Sequence, residues 1–427
     1  MPLHPSRRSA GVRSFKVMDV VAKADTLARS GKKIYHLEVG QPQSSAPQAA
    51  IATATEQMST DRCGYTAARG EPPLRTALAE MYKANYGVDV STSRIHLTPG
   101  SSGAFTIAFH AAFDAGDIVA VPSSCYPCYR NLLQCYGVQL LTLPVDKNYN
   151  VTAAELAAAQ RARAAAGEPP IKGLILSSPA NPTGAMLAPD ELKALCELCD
   201  ATDVQFISDE IYHGIVFTGA PRAACALEFT KNAIIINSFS KYYSMTGWRL
   251  GWLVVPDHLD KQVDALNQNM NVSAPTISQR AAVAALSAAA KPELEAHVRK
   301  YEASRQVVVD GLAAMGVQPH EYAPPQGAFY LYADLRAHGV TDSLGFCDAL
   351  LTEAGVAMTP GVDFEEEGSG YGERRVRISF PGSTDNVREA MRRFATWWAS
   401  EQGMRWRGGA GDGADADRDG KPKRTKR

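Results

Sequence analysis

Side chains able to do covalent and proton-transfer chemistry stand in four short segments of the 427-residue chain. Lys241 sits in Ser238-Phe239-Ser240-Lys241; a lysine amine forms a Schiff base with an aldehyde and, once released, moves a proton. Asp209, in Ser208-Asp209-Glu210-Ile211-Tyr212, offers a carboxylate that would keep a pyridine-like nitrogen protonated and make its ring an electron sink. Asn181 stands in Ser178-Pro179-Ala180-Asn181-Pro182-Thr183-Gly184. The run Thr98-Pro99-Gly100-Ser101-Ser102-Gly103 opens a helix, and small residues with free N–H groups at a helix start bind phosphate. The hydroxyls of Ser101, Ser102, Ser238 and Ser240, with the Arg249 guanidinium, would complete such a cradle. Each group alone has a plainer reading: a solvated loop lysine, a capping aspartate, a serine N-cap. Together they ask for one ligand that bears a phosphate, a basic ring nitrogen and an aldehyde.

The elements needed to position them are legible as alternating patterns. Candidate strands are Ile118–Pro122, Gly173–Ser177, Val204–Ser208, Ala233–Asn237 and Leu250–Val255. Helical patterns such as Ala153–Ala166 and Pro189–Cys199 lie between them, which predicts a largely parallel sheet covered by helices. Asn181, Asp209 and Lys241 then fall at or beyond carboxyl ends of strands, where open α/β sheets bind ligands. Phe105, Phe109 and Phe113 recur at helical spacing after Gly100, and Gly116 marks a stop. The stretch Pro256–Tyr301 reads as helices. Beyond Val317 shorter mixed elements follow: Phe329–Ala333, a helix over Ser343–Glu353, Arg375–Phe380 and a final helix over Asn386–Trp398.

Composition restricts the function classes. Lys and Arg number 44 against 45 Asp and Glu, so no broad charge draws the chain to nucleic acid or anionic membrane. No apolar run approaches the roughly 20 residues of a membrane span. The first 18 residues lack the apolar core of a secretory signal; a transit segment is the alternative to a plain extension. A cytoplasmic location follows as the expectation, with the 8 cysteines reduced. Cys125/Cys128 and Cys196/Cys199 have zinc-like spacing. The second pair reads more simply as buried i,i+3 positions of a helix, and no metal is expected.

The segment Ser238-Phe-Ser-Lys-Tyr-Tyr-Ser-Met-Thr-Gly-Trp-Arg249-Leu-Gly-Trp252 resembles the lysine motif of the class I/II aminotransferases, the fold-type I pyridoxal-phosphate enzymes that include aspartate aminotransferase. Asn181-Pro-Thr-Gly184, Asp209-Glu-Ile-Tyr212 and Arg377-Ile-Ser-Phe380 match in order and spacing. The resemblance runs from about Phe15 to about Trp398. It implies an α/β fold: a three-layer α/β/α large domain with a mainly parallel sheet, plus a smaller α+β domain built from the N- and C-terminal segments. The expected division is a flexible extension over 1–14, a small-domain segment over 15–45, the cofactor domain over 46–300, the small domain over 301–402 and a disordered tail over 403–427.

Carried over residue by residue, the resemblance implies pyridoxal 5'-phosphate as cofactor and a role for each match. Lys241 is the Schiff-base lysine and proton shuttle, Asp209 the partner of the pyridine nitrogen. Asn181 and Tyr212 bond the phenolic oxygen, and Tyr126 stacks on the ring. Ser101, Ser102, Ser238, Ser240 and Arg249 hold the phosphate. Arg377 takes the substrate α-carboxylate with help from Asn181 and the Gly40 backbone. Tyr65 reaches the phosphate of a partner subunit, which implies a homodimer with shared sites. The substrates implied are an L-amino acid and a 2-oxo acid. Gln41-Pro42-Gln43 and Ser123-Ser124-Cys125 depart from common family patterns on the substrate side. No match assigns a role to His110 or His213, which read as packing or surface residues. A carbon–sulfur β-lyase on the same scaffold is the alternative enzyme. A silent pyridoxal-phosphate sensor would need a DNA-binding module ahead of residue 15, where the pattern leaves no room.

Overall fold

Seven strands form the central sheet: β2 (Ile95–Thr98), β3 (Ile118–Pro122), β4 (Gln139–Leu143), β5 (Ile171–Ser177), β6 (Gln205–Asp209), β7 (Ile234–Ser238) and β8 (Gly251–Val254). Their spatial order is β2-β8-β7-β6-β5-β3-β4, and only β8 runs antiparallel to its neighbours. The chain is described by a computed structural model over residues 4–407. Strand side chains are apolar on both faces because helices cover both. Ile234 and Ile236 point into the layer with Phe105, Phe109 and Tyr129, while Ile235 points into the opposite layer with Leu74, Leu78 and Leu195.

The smaller unit carries an antiparallel sheet of β9 (Tyr330–Asp334), β11 (Thr359–Pro360) and β12 (Arg375–Ser379), in the order β11-β12-β9. A parallel pair, β1 (Tyr35–His36) with β10 (Val356–Ala357), ties the N-terminal segment to it. The helix Thr384–Trp398 buries Phe394, Trp397 and Trp398 in this second core.

Several sequence expectations change. The expected strands and helices are present with ends displaced by a few residues, whereas β2 and β4 carry too few alternations to stand out. The helix at Gly100 ends at Ala112, a turn before the glycine expected to stop it. The boundary expected between 300 and 301 falls inside one helix, Lys291–Ala314. Part of the expected N-terminal extension forms a helical turn at Arg7–Ala10, and the Arg13 carbonyl accepts from Asn131 Nδ2 at 3.1 Å. The chain also stays packed past 403: Glu401–Met404 is helical, Gly403 is buried, and Trp406 lies against the second core. The rest of the expected tail, 408–427, lies outside the described residues, as do residues 1–3 of the extension. Among the described residues no helix is long and apolar enough to cross a membrane.

Candidate active site

Parallel strands bring the matched motifs to one edge of the large sheet. Asp209 ends β6, Ser238 ends β7 and Lys241 lies three residues beyond; Asn181 follows β5, and Tyr126 follows β3 as the N-cap of helix Pro127–Cys135. Asp209 is buried. One carboxylate oxygen accepts from the Ile211 N–H at 3.2 Å, and the other accepts a short hydrogen bond from the Tyr129 hydroxyl. Burial raises the Asp209 carboxyl to about 6 against the pull of these two donors.

Lys241 Nζ donates to the Gly40 carbonyl at 2.6 Å and lies 5.9 Å from the ring centres of Tyr212 and Phe329. Burial, and then the Arg377 charge, pull its ammonium down to about 8, while Asp209 opposes them. An amine so shifted keeps a useful neutral fraction near neutral pH, as a nucleophile and proton carrier requires. Gly40 is fixed by close approach: a Cβ there would lie 1.8 Å from the Tyr330 hydroxyl oxygen. That hydroxyl is bonded to Tyr212 Oη at 2.7 Å.

The anion cradle forms where three strands meet. Gly251 on β8 pairs with Thr98 on one side and Ser238 on the other, which sets Ser238 beside the start of helix Gly100–Ala112. Ser101 and Ser102 occupy that helix's first turn. Ser240 N–H donates to Ser238 Oγ at 3.1 Å. Gly100 adopts φ +71°, and a Cβ on it would meet an Arg249 guanidinium nitrogen at 2.5 Å. Helix N–H groups, serine hydroxyls and a guanidinium thus come together at one strand junction, a donor set that fits a phosphate.

Arg377, on β12, is buried between Tyr330 and Phe364, whose ring centres lie 4.6 Å from its guanidinium carbon. It donates to Asn181 Oδ1 at 2.9 Å, to Thr359 Oγ1 at 3.2 Å and to the Glu38 carbonyl. Its Nε has no partner among the described residues. Tyr126 is half-buried and meets Tyr129 edge-on at 5.6 Å. Tyr65 stands apart, 89% exposed on the single chain.

Sequence reasoning missed Tyr129, Tyr330, Thr359 and Phe364. Tyr129 carried a weak signal, one helical turn after Tyr126; the others reach the site only through tertiary packing. His213 is buried and accepts or donates at both ring nitrogens, with Tyr86 Oη at 2.8 Å and the Ser178 carbonyl at 3.0 Å, while His110 bonds within its own helix. Cys196 and Cys199 are buried in helix Pro189–Ala201, and Cys125 donates its N–H to the Phe364 carbonyl at 3.1 Å. Among the described residues no group of three His, Cys, Asp or Glu is arranged for a metal.

Residues 32–394 match the family described as aminotransferase class I and II. The valine–pyruvate aminotransferase of Mycobacterium tuberculosis is 43% identical over 92% of this chain and 98% of its own length. An aspartate aminotransferase of Musicola paradisiaca is 30% identical over 88% and 92%. Among solved structures, an aminotransferase from Mycobacterium tuberculosis superposes with a TM-score of 0.87 at 42% identity, covering 93% of this chain and 99% of that one. Aspartate aminotransferase from Thermus thermophilus with maleate superposes at 0.84 and 29% identity, covering 92% and 100%. A lysine amine beside a buried carboxylate, an anion cradle and a buried arginine are thus set in the fold of enzymes that transfer amino groups with pyridoxal phosphate, and the chain belongs to the class I and II aminotransferases.

Proposed function

We propose that the chain holds pyridoxal 5'-phosphate at the strand ends through Lys241 and exchanges amino groups between an apolar L-amino acid and a 2-oxo acid. The observation that carries this reading is the Lys241 amine, bonded to the Gly40 carbonyl at 2.6 Å and set between the charges of the buried Asp209 and Arg377. Bound there, the cofactor supplies a carbonyl carbon that amines attack and a cationic ring that withdraws electrons from a substrate α-carbon. Asp209 holds the proton on the ring nitrogen, and Tyr129 and Ile211 orient its carboxylate. Asn181 turns its carbonyl to Arg377 and gives its amide hydrogens, with the Tyr212 hydroxyl, to the phenolic oxygen. Tyr126 stacks on the ring. Ser101, Ser102, Ser238, Ser240, Arg249 and the helix N–H groups hold the phosphate. Arg377 takes the substrate carboxylate as a bidentate pair, with Asn181 and the Gly40 backbone beside it. The freed Lys241 amine would accept the proton from the substrate α-carbon and deliver it to the former carbonyl carbon, the shift that moves the amino group.

The apolar donor is supported by the name of the relative that transfers between valine and pyruvate and by the aromatic rings of Tyr330 and Phe364 around Arg377. A homodimer is supported by Tyr65, Met270 and Val272, large apolar side chains exposed close together. Asn267 bonds the Ala68 carbonyl and Thr276 the Gly64 carbonyl, which holds 267–276 beside Tyr65. There Tyr65 serves the phosphate of the partner's site. A cytoplasmic location suits eight free cysteines.

The test uses the purified chain loaded with pyridoxal phosphate. Borohydride is expected to fix the label on Lys241, and valine is expected to convert the bound cofactor to its pyridoxamine form. A label on another lysine, or no conversion by any amino acid, overturns the reading. Mixing chains carrying Lys241→Ala with chains weakened at Tyr65 should restore one intact site per mixed dimer. Verified mixed dimers with no gain at limiting cofactor would remove the shared-site part.

A further inference from the structure

The helix Lys16–Arg29 begins without a cap of its own, because its N-cap residue Phe15 has no side-chain acceptor. The first N–H groups of any helix need acceptors. Here Asp363, far along the chain, supplies them: one carboxylate oxygen accepts from Lys16 N–H at 2.9 Å and the other from Val17 N–H at 3.2 Å. A carboxylate also suits the positive end of the helix.

The two residues that follow Asp363 face other bodies. Phe364 lays its ring on the Arg377 guanidinium at 4.6 Å, and its carbonyl accepts from Cys125 N–H at 3.1 Å and from Arg130 at 2.6 Å. Glu365 accepts from Ser124 Oγ at 2.6 Å, Arg375 at 2.8 Å and Tyr332 Oη at 3.0 Å. Three consecutive residues therefore join the N-terminal helix, the large domain and the small domain at the rim of the carboxylate seat. They also account for Ser124, one of the departures on the substrate side. Held by the first of them, Phe15 brings its ring to 6.0 Å from Tyr126, tilted by 39°.

We propose that Asp363 is a positioning residue for substrate recognition, clasping the helix start so that Phe15 and Tyr126 together wall the seat of an apolar substrate side chain. The proposal rests on Arg377 holding the substrate carboxylate, as argued above. A carboxylate on Arg377 restrains the guanidinium against Phe364 and steadies the backbone that carries Asp363. Each methylene buried against the two rings gains about fourfold in affinity, so valine depends on the wall more than alanine does.

The test compares the wild-type holoenzyme with Asp363→Asn and Phe15→Ala. Asp363→Asn keeps one acceptor and removes the charge. It should speed amide exchange at Lys16 and Val17, and raise KM about tenfold for valine with a smaller rise for alanine. Phe15→Ala should show the same substrate-selective rise while the two amides stay slow. In the wild type, 2-methylalanine, which has the carboxylate and no α-hydrogen, should slow both amides further. Unchanged exchange in Asp363→Asn overturns the clasp, and equal KM rises for alanine and valine overturn the wall. A chain that transaminates neither substrate overturns the functional reading and the wall with it, while the exchange rates still decide on the clasp.

Discussion

The two sides of the site are built differently. The proposed cofactor side comes from consecutive strands of one parallel sheet: Asn181 after β5, Asp209 at the end of β6 and Lys241 after β7. Each side chain needs only its own strand and turn to reach its place. The proposed substrate side comes from segments hundreds of residues apart: the Gly40 and Glu38 carbonyls, Thr359, Phe364, and Arg377 on a separate sheet. Local chain geometry fixes the first side, whereas relative placement of segments fixes the second. Damage on the cofactor side should therefore appear as lost chemistry, and damage on the substrate side as lost affinity that depends on the substrate.

The largest effect is expected at Lys241. On the proposed mechanism Lys241→Ala removes the tether and the proton carrier together, and should lower kcat by at least about a thousandfold. Single-turnover kinetics with added pyridoxamine phosphate should show the same loss, with KM little moved. A loss confined to KM would erase the distinction between the two sides.

Arg377 is the counterpart on the substrate side. Arg377→Lys keeps the charge and loses the planar fork held by Asn181 and Thr359. The expected cost is about 3 kcal/mol, roughly a hundredfold in KM, for every amino acid that carries an α-carboxylate. Turnover of an amine lacking that carboxylate should be unaffected. Equal losses for the amine and the amino acid would show that Arg377 works on something other than the carboxylate.

Gly40 touches both sides, and its substitution sharpens the contrast. A Cβ there would overlap the Tyr330 hydroxyl at 1.8 Å, so either the 38–40 segment or Tyr330 has to move. Gly40→Ala should cost about 1–3 kcal/mol in stability, read as a lower thermal midpoint. Adding Tyr330→Phe removes the nearest atom and should recover part of the loss, giving a measurable coupling between the two sites. Strict additivity would mean that the segment, not Tyr330, yields.

What could be seen in the sequence follows the same division. Asn181, Asp209, Lys241 and Arg249 lie in short motifs with their strands beside them, so residue type and spacing sufficed to assemble them. Arg377 was recognisable by its motif, but its bed of Tyr330 and Phe364 was not, because stacking between β9, β12 and a loop leaves no periodic trace. The clasp of Asp363 on Lys16 and Val17 was invisible for the same reason: the acceptor is a side chain and the donors are backbone N–H groups that any sequence supplies. The end of the fold was misplaced because Gly403 and Trp406 sit in a polar stretch whose few packing residues resemble a tail.

Tyr129 offers the closest test, since it belongs to the proposed cofactor side yet escaped the sequence. Its hydroxyl donates to Asp209, while burial pushes that carboxyl up to about 6. The hydrogen bond favours the ionised form, so Tyr129→Phe should raise the Asp209 pKa further. At pH 8.5 the carboxylate stays ionised in both proteins, and cofactor uptake should differ little. As pH falls, the cofactor-free variant should protonate Asp209 before the wild type does, and should take up pyridoxal phosphate less readily along that limb. Loss of one hydrogen bond to a charged group, about 1.5–3 kcal/mol in buried surroundings, corresponds to an acid limb displaced upward by about one to two pH units. With free cofactor, retention should weaken along the same limb, because a neutral Asp209 no longer favours a protonated ring nitrogen. The measurement is a cofactor-uptake titration of both proteins from pH 5 to 9. Superimposable acid limbs would mean that Tyr129 only fills space, and that Asp209 owes its charge to the strand end alone.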